Sequence, residues 1–399
     1  MSRSLMEKEI SRRLRAFQEK LIANEVDGAI IAQKTDLYYL SGTDQDTHLW
    51  VPASGQPILM VRKSMERAKE DACIEAIVPI NSLSQIPEYI QDHGGKDPGR
   101  IGLEMDVLPV NRYLLYQRLF PEKEMIDVSS LIRETRMIKS AYEISCIARA
   151  ALMADNTYGK IPEFLREAET EIDLTYRIEA FYRSQGHPGI IPTRAFNNEA
   201  LYGQIMSGKR AATPSSSAGP TGGKGLGPFF SQGASLERIG RNEPILVDYA
   251  ANADGYIADL TRIFSLGKLK ETFIHAHEVA LTVQDVLSRE AVPGVRAGSL
   301  YDLALEVVEK AGLVTGFMGY PDPVPFVGHG VGLELDEWPV IGRGSDTILS
   351  EGMVIALEPK FVFPGEGTVG IENTFVITKN GTKKLNRFPD AIFEIDLNT

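Results

Sequence analysis

The sequence predicts two domains of mixed type, an α/β domain over residues 1–135 and an α+β domain over 136–399. Three observations carry this. A chain of 399 residues, 43% of them hydrophobic, exceeds what one ordinary core organises. Helical and extended patterns alternate through the first third. The last 150 or so residues are mostly strand, after a helical stretch.

Taken in order, residues 8–25 place Ile10, Leu14, Phe17, Leu21 and Ile22 on one helical face, and the apolar run GAIIA at 28–32 follows as a strand. The chain then turns through Tyr38–Gly42 into an extended segment, Gln56–Val61. IEAIVPI at 74–80 and RIGLEM at 100–105 read as further strands. At 128–140 the pattern becomes SSLIRETRMIKSAYEI, where Ser140 followed by Glu143 makes a capping box that opens a long helix. Helical periodicity continues to about residue 185. A glycine- and serine-rich stretch, TPSSSAGPTGGKGLGPFF at 213–230, reads as a loop over a site, because it leads directly into the strand EPILVDYA. That strand and GYIADLTRIF form a hairpin through Asn252–Gly255. Helices near 270–290 and 299–312 follow, then the glycine-rich VGHGVGLELDEWP. MVIALEPKF and TVGIENTFVI close the chain as a second hairpin around 361–367.

Composition excludes several classes. A formal charge of −12 lacks the basic stripe that displaces counterions from nucleic acid. The two cysteines, Cys73 and Cys146, have no CxxC spacing and support neither a disulfide framework nor a thiolate zinc site. The charged N-terminus has no apolar signal region, and no run of about 18 apolar residues follows. The expected location is cytoplasmic. GQIMSGK at 203–209 falls short of a phosphate loop, since Arg210 stands where a hydroxyl must hold magnesium, and GGKGLG at 222–227 lacks a strand-to-helix setting.

Five residues carry the chemistry: Asp248, Asp259, His329, Glu358 and Glu372. An isolated Asp in a strand is usually an edge or turn residue. Four carboxylates on apolar strands are different, because burying them is costly unless a cation balances them. His329, between Gly328 and Gly330, adds a neutral nitrogen donor. The set suits two divalent cations and points to a metal-dependent hydrolase. His48, His93, His187, His275 and His277 lack such carboxylate company and read as structural or solvent-facing.

The motifs ILVDYAANADGYIADLTR, GHGVGLELDEWP, ALEPKF and VGIENTFVIT, in this order over about 130–399, resemble the pita-bread metallohydrolases, the superfamily of aminopeptidase P, prolidase, methionine aminopeptidase and creatinase. VDGAII and LYYLSG are similar to the ribonuclease-H-like N-terminal domain of the aminopeptidase P, prolidase and creatinase branch. The resemblance implies a creatinase-type N-terminal domain, a pita-bread catalytic domain and a C₂ homodimer. It further implies that Asp248 holds one metal ion, that Asp259 and Glu372 bridge two, and that His329 and Glu358 complete the second. A bridging hydroxide is then the nucleophile and Glu358 takes its proton. Manganese comes first among manganese, cobalt, iron and zinc as the ion.

Three positions depart from the family's peptidases. The histidine seven residues after the ligand histidine is Asp336; Phe230-Ser231-Gln232 occupies the region of an upstream histidine; and Gly370 replaces an arginine two residues before the last glutamate. Asp336 is therefore expected to receive a cationic substrate group or relay a proton, with Ser231, Gln232 and Glu337 as substrate contacts. The leading expectation is a Xaa-Pro aminopeptidase or dipeptidase acting on short peptides. A creatinase-like C–N hydrolase or lyase acting on a small molecule is the alternative, and a binding module without catalysis is opposed by the intact ligand set.

Overall fold

The computed structural model describes residues 3–94, 97–194, 196–197, 202–216 and 218–396. The chain divides into two compact units, Met1–Arg136 and Met137–Thr399.

In the first unit, β1 (Gly28–Ile31), β2 (Thr47–Pro52), β3 (Ile58–Val61), β4 (Ala76–Pro79), β5 (Arg100–Leu103) and β6 (Glu124–Asp127) form one sheet in the order β4-β3-β2-β1-β5-β6. β1, β2 and β3 run as an antiparallel meander, and β4, β5 and β6 each add parallel to a neighbour. This is the ribonuclease-H-like pattern. Helices α1 (Arg3–Ala23), α2 (Lys34–Ser41), α3 (Met65–Asp71), α4 (Ile86–Gly94), α5 (Val110–Leu119) and α6 (Ser129–Met137) accompany it. One apolar cluster joins Ile30, Trp50, Met60 and Ile101 of the sheet to Ile86, Ile90, Tyr116 and Phe120.

Two details differ from the sequence reading. Ile22 is exposed, while Ile10, Leu14, Phe17 and Leu21 are buried. The expected turn at Tyr38–Gly42 is the end of helix α2, whose first turn is capped by the Gln33 side chain accepting from Asp36 N at 2.8 Å. Gly42, at φ 87°, ends it with its N–H on Tyr38 O.

The second unit begins with α7 (Ala141–Tyr158), α8 (Ile161–Glu167) and α9 (Glu171–Ser184). The capping box is present: Glu143 N donates to Ser140 Oγ, and Ser140 N donates to Glu143 Oε2. Strands β7 (Gly203–Ser207), β8 (Ile245–Ala253) and β9 (Tyr256–Leu266) form one sheet, closed at its edge by β17 (Phe393–Ile395). A second sheet contains β10 (Phe326–Gly330), β11 (Glu337–Gly342), β12 (Val354–Leu357), β15 (Asn373–Thr378) and β16 (Gly381–Lys384), ordered β11-β10-β12-β15-β16. A ribbon of β13 (Lys360–Phe363) and β14 (Gly367–Gly370) stands apart from both. Helices α10 (Glu271–Glu290) and α11 (Ala297–Lys310) cover the core, where Phe273, Val283, Leu287 and Leu300 meet Ile355, Leu357, Val369 and Phe375.

The second hairpin is therefore more broken than the sequence suggests. Each apolar run is interrupted at its glutamate: Glu358-Pro359 separates β12 from β13, and Ile371-Glu372 separates β14 from β15. Pro359 has no N–H to donate to a ladder, so pairing changes partner there. No helix of the described residues is long and apolar enough to cross a membrane.

Candidate metal centre

The register explains how the ligand-type residues meet. On the β8/β9 ladder Asp248 lies opposite Thr261 and Ala250 opposite Asp259. Side chains alternate faces, so Asp248, Asp259 and Thr261 share one face. On the other sheet His329 lies opposite Ala356, and Leu357 is opposite both Gly328 and Asn373. One residue further, Glu358 and Glu372 stand side by side beyond the last ladder pair. Glu358 N donates to Val327 O at 3.0 Å, and an isolated bridge between Thr261 and Glu372 brings the two sheets together.

The glycines beside His329 are explained by the neighbouring strands. A Cβ at Gly328 would lie 2.3 Å from Ala356 O, and one at Gly330 would lie 2.2 Å from Trp338 O. His329 Nδ1 is 3.1 Å from Gly330 O, which can only accept, so Nδ1 carries the proton and Nε2 turns its lone pair inward. Nε2 lies 3.6 Å from Glu358 Oε1 and 4.0 Å from Glu372 Oε1. Ligand atoms of Asp259, His329 and Glu372 all fall within 4.8 Å of one another, close enough for one ion. Glu372 Oε1 is buried without a hydrogen-bond partner, an arrangement that a cation relieves. By donor type and placement, these residues fit a divalent metal ion.

A further cation already stands in the cluster. Lys360 Nζ lies 2.7 Å from Glu358 Oε2, 2.9 Å from Glu372 Oε2 and 3.3 Å from Asp248 Oδ2, and its side chain is 1% exposed. Burial by itself would lower its pKa, but Asp248, Glu358 and Glu372 hold it well above the ordinary value, so it is an ammonium. Burial, then the charges of Glu372 and Asp248, push the Asp259 carboxyl well above its usual range. Asp248 is also raised, by burial first, against the opposing effect of Lys360.

Thr261 Oγ1 donates to Glu372 Oε2 at 2.8 Å. Arg262, fully buried, donates from Nη1 to the carbonyls of Thr261 and Glu372, both at 2.8 Å, and so fixes the backbone that presents Glu372.

All five predicted ligands line a cavity of about 290 Å³. Asp336 and Gln232 line it as well, together with Tyr202, Gln204 and Thr221. Asp336 Oδ1 accepts from Arg194 N at 3.2 Å. The glycine-rich loop reaches the cavity through Ala218, Gly219, Pro220 and Thr221, while its Ser217 is outside the described residues. Two expected substrate contacts do not belong to the cavity. Ser231 is exposed and off its wall. Glu337 is buried and engaged in structure: it pairs with Lys139 Nζ at 2.9 Å and accepts from Leu333 N at 2.8 Å and Glu334 N at 3.2 Å. The alternation of side chains explains this, since Glu337 faces away from its neighbour Asp336.

Lys360, Thr261 and Arg262 are absent from the sequence-based set. Lys360 could have been found: it lies two residues after a ligand glutamate, a spacing that keeps both on one side of an extended chain.

The model of metallopeptidase family M24 matches residues 145–379, and that of the creatinase/prolidase N-terminal domain matches 13–138. A Xaa-Pro dipeptidase of Pyrococcus horikoshii is 28% identical over 380 residues, 95% of this chain and 97% of that protein. One from Lactobacillus delbrueckii is 28% identical over 378 residues, 92% and 94% of the two chains. The crystal structure of the Pyrococcus horikoshii prolidase superposes with a TM-score of 0.78 at 26% identity, covering 94% of this chain and 98% of that one. A Bacillus anthracis Xaa-Pro dipeptidase shares the fold, with a TM-score of 0.82 at 22% identity over 97% and 100%. The chain belongs to metallopeptidase family M24 and carries that family's catalytic domain behind a creatinase/prolidase-type N-terminal domain.

Proposed function

We propose that this protein hydrolyses short peptides at a bond preceding proline, as a Xaa-Pro aminopeptidase or dipeptidase. The observation that carries the reading is the convergence of Asp259, His329 and Glu372, with Asp248 and Glu358, on one cavity of about 290 Å³, room for a short peptide. A divalent ion bound there supplies the charge that acidifies water and polarises a carbonyl. Glu358 Oε1, on the His329 side of the cluster, would accept the proton of the attacking water, and Gln232 and Asp336 would orient the substrate on the cavity wall. Manganese is the first choice of ion, with cobalt, iron and zinc as the others that such donors suit. A C₂ homodimer and a cytoplasmic location complete the reading, from family resemblance and from composition respectively.

One observation favours a second reading. Every ionisable carboxyl or amine among the described lining residues is acidic: Asp248, Asp259, Asp336, Glu358 and Glu372, with no lysine or arginine on the wall. Four of these acids belong to the ligand set, balanced by the bound ion and by Lys360, so Asp336 is the one left to meet a substrate. No lysine or arginine of the described wall faces the free carboxylate of a Xaa-Pro dipeptide. A small cationic molecule with a scissile C–N bond would be received more readily.

The test is release of the N-terminal residue from a panel of Xaa-Pro dipeptides and tripeptides, by protein reconstituted with manganese, cobalt, iron or zinc, with Glu372→Gln as the control. Metal-dependent release abolished in the control is expected. Tripeptides cleaved in preference to dipeptides would fit the acidic wall. Silence across the panel from metal-loaded protein would overturn the peptidase reading in favour of the small-molecule one.

A further inference from the structure

We propose that the Lys360 ammonium is a built-in cation that takes the place of one of two divalent ions, so that this centre binds a single metal ion on Asp259, His329, Glu358 and Glu372. The inference rests on the metal-hydrolase reading of the site but is independent of the substrate.

The first ground is competition for oxygens. Lys360 Nζ is in reach of Asp248 Oδ2, Glu358 Oε2 and Glu372 Oε2 at 3.3, 2.7 and 2.9 Å. A divalent transition-metal ion needs carboxylate oxygens at about 2.0–2.2 Å. An ion seated on Asp248 and Glu372 would therefore require oxygens that the ammonium already holds. The ammonium has three N–H groups and meets three carboxylates. Two of those groups donate to Glu358 Oε2 and Glu372 Oε2, and Asp248 Oδ2 stands at ion-pair distance.

The second ground is that the lysine is confined. Its residue lies directly opposite Gly370 in the β13/β14 ribbon. A Cβ added at Gly370 would sit 2.7 Å from Lys360 Cγ, 2.7 Å from its Cα and 2.5 Å from Pro359 O. The stem thus fills the space that a side chain at position 370 would need. The bare backbone at 370 and the stem at 360 form a single packing solution that keeps the lysine buried.

The third ground is how the glutamates divide their oxygens. Glu358 and Glu372 each give Oε2 to Lys360, while Oε1 of each faces His329 Nε2, at 3.6 and 4.0 Å. Glu372 Oε1 is buried with no hydrogen-bond partner. The cluster therefore has one half neutralised by the chain itself and one half, around Asp259 and His329, whose oxygens still lack a cation. One ammonium and one divalent ion also leave the cluster a unit of charge more negative than two divalent ions would. That excess, beside Asp336, favours a substrate that brings a positive group.

The test is a metal count on the full chain. Protein stripped with chelator is dialysed against saturating Mn²⁺; bound metal is measured by mass spectrometry and its state by electron paramagnetic resonance. The wild type is expected to hold one Mn²⁺ per chain with the six-line signal of an isolated ion. Lys360→Ala, which removes the ammonium and opens its space, is expected to hold two, with the signal of an exchange-coupled pair. Two coupled ions in the wild type would overturn the proposal, as would none, or a folded Lys360→Ala that still binds one. Should the variant fail to fold, the wild-type count decides alone. Failure of the peptide panel would leave this count unaffected, so the two readings can fail separately.

Discussion

Replacing Arg262 by methionine should unfold the catalytic unit far more readily while leaving the N-terminal unit intact. The guanidinium is fully buried and donates to six acceptors: the carbonyls of Thr261, Glu372, Phe388 and Pro389, Asn373 Oδ1 and Asp390 Oδ1, at 2.7–2.8 Å. It thereby ties β9, the Glu372 junction and the segment before β17 together. Methionine keeps much of the stem but none of the donors. Asp390 retains Lys384 Nζ at 2.7 Å and the Asn373 amide at 3.1 Å, whereas the four carbonyls and Asn373 Oδ1 lose a charged donor. Each buried acceptor left unsatisfied costs about 1–3 kcal/mol, and these acceptors are neighbours whose losses are not independent. These overlap, so the expected loss is about 3–5 kcal/mol, a large fraction of the roughly 5–15 kcal/mol typical of a folded protein. Arg262→Lys keeps the charge without the planar fan of donors and should fall between the two. The assay is urea unfolding in chelator, so that metal linkage does not mask the effect. Trp50 reports on the first unit and Trp338 on the second, which separates their transitions. A loss below about 1 kcal/mol for Arg262→Met would refute the reasoning, because such a site could not be holding six acceptors in place.

Two other outcomes are expected. Glu337→Ala leaves Lys139 buried without its partner and should destabilise the second unit by about 3–5 kcal/mol, with KM of the remaining folded enzyme unchanged; a raised KM without lost stability would restore Glu337 to the substrate site. His187 is held neutral, its pKa lowered from 6.5 to about 4, first by burial, while its ring stacks on Tyr202 at 4.6 Å. The unfolded chain then binds a proton that the folded one refuses, so stability is full above pH 6.5 and is lost as pH falls toward 4. His187→Phe keeps the stacking and should flatten that acid limb in a pH series of urea midpoints; an unchanged slope would count against it.

Much of the centre was legible in the sequence because metal-binding chemistry restricts residue type so strongly. Four carboxylates on apolar strands and a histidine between glycines have few other physical justifications, and the β8/β9 hairpin that aligns Asp248 with Asp259 follows from a short turn between two apolar runs. The capping box at Ser140 is likewise a local device and was found at its predicted place. Short elements fared less well: α2 has eight residues, too few for periodicity to outweigh the glycine that ends it.

What tertiary structure decided is direction and neighbourhood. Asp336 and Glu337 are adjacent in sequence, yet one faces the cavity and the other pairs with Lys139, because successive side chains on an extended chain point to opposite sides. Lys360 reads in sequence as one more polar residue on a strand. Its ammonium enters the carboxylate cluster only because Pro359 redirects the chain out of one sheet and Gly370, ten residues away, leaves room for the stem. By itself the sequence determined which atoms could bind a cation, since donor chemistry is a property of residues. How many ions those atoms accept depends on distances between groups far apart along the chain, and only the folded structure sets those.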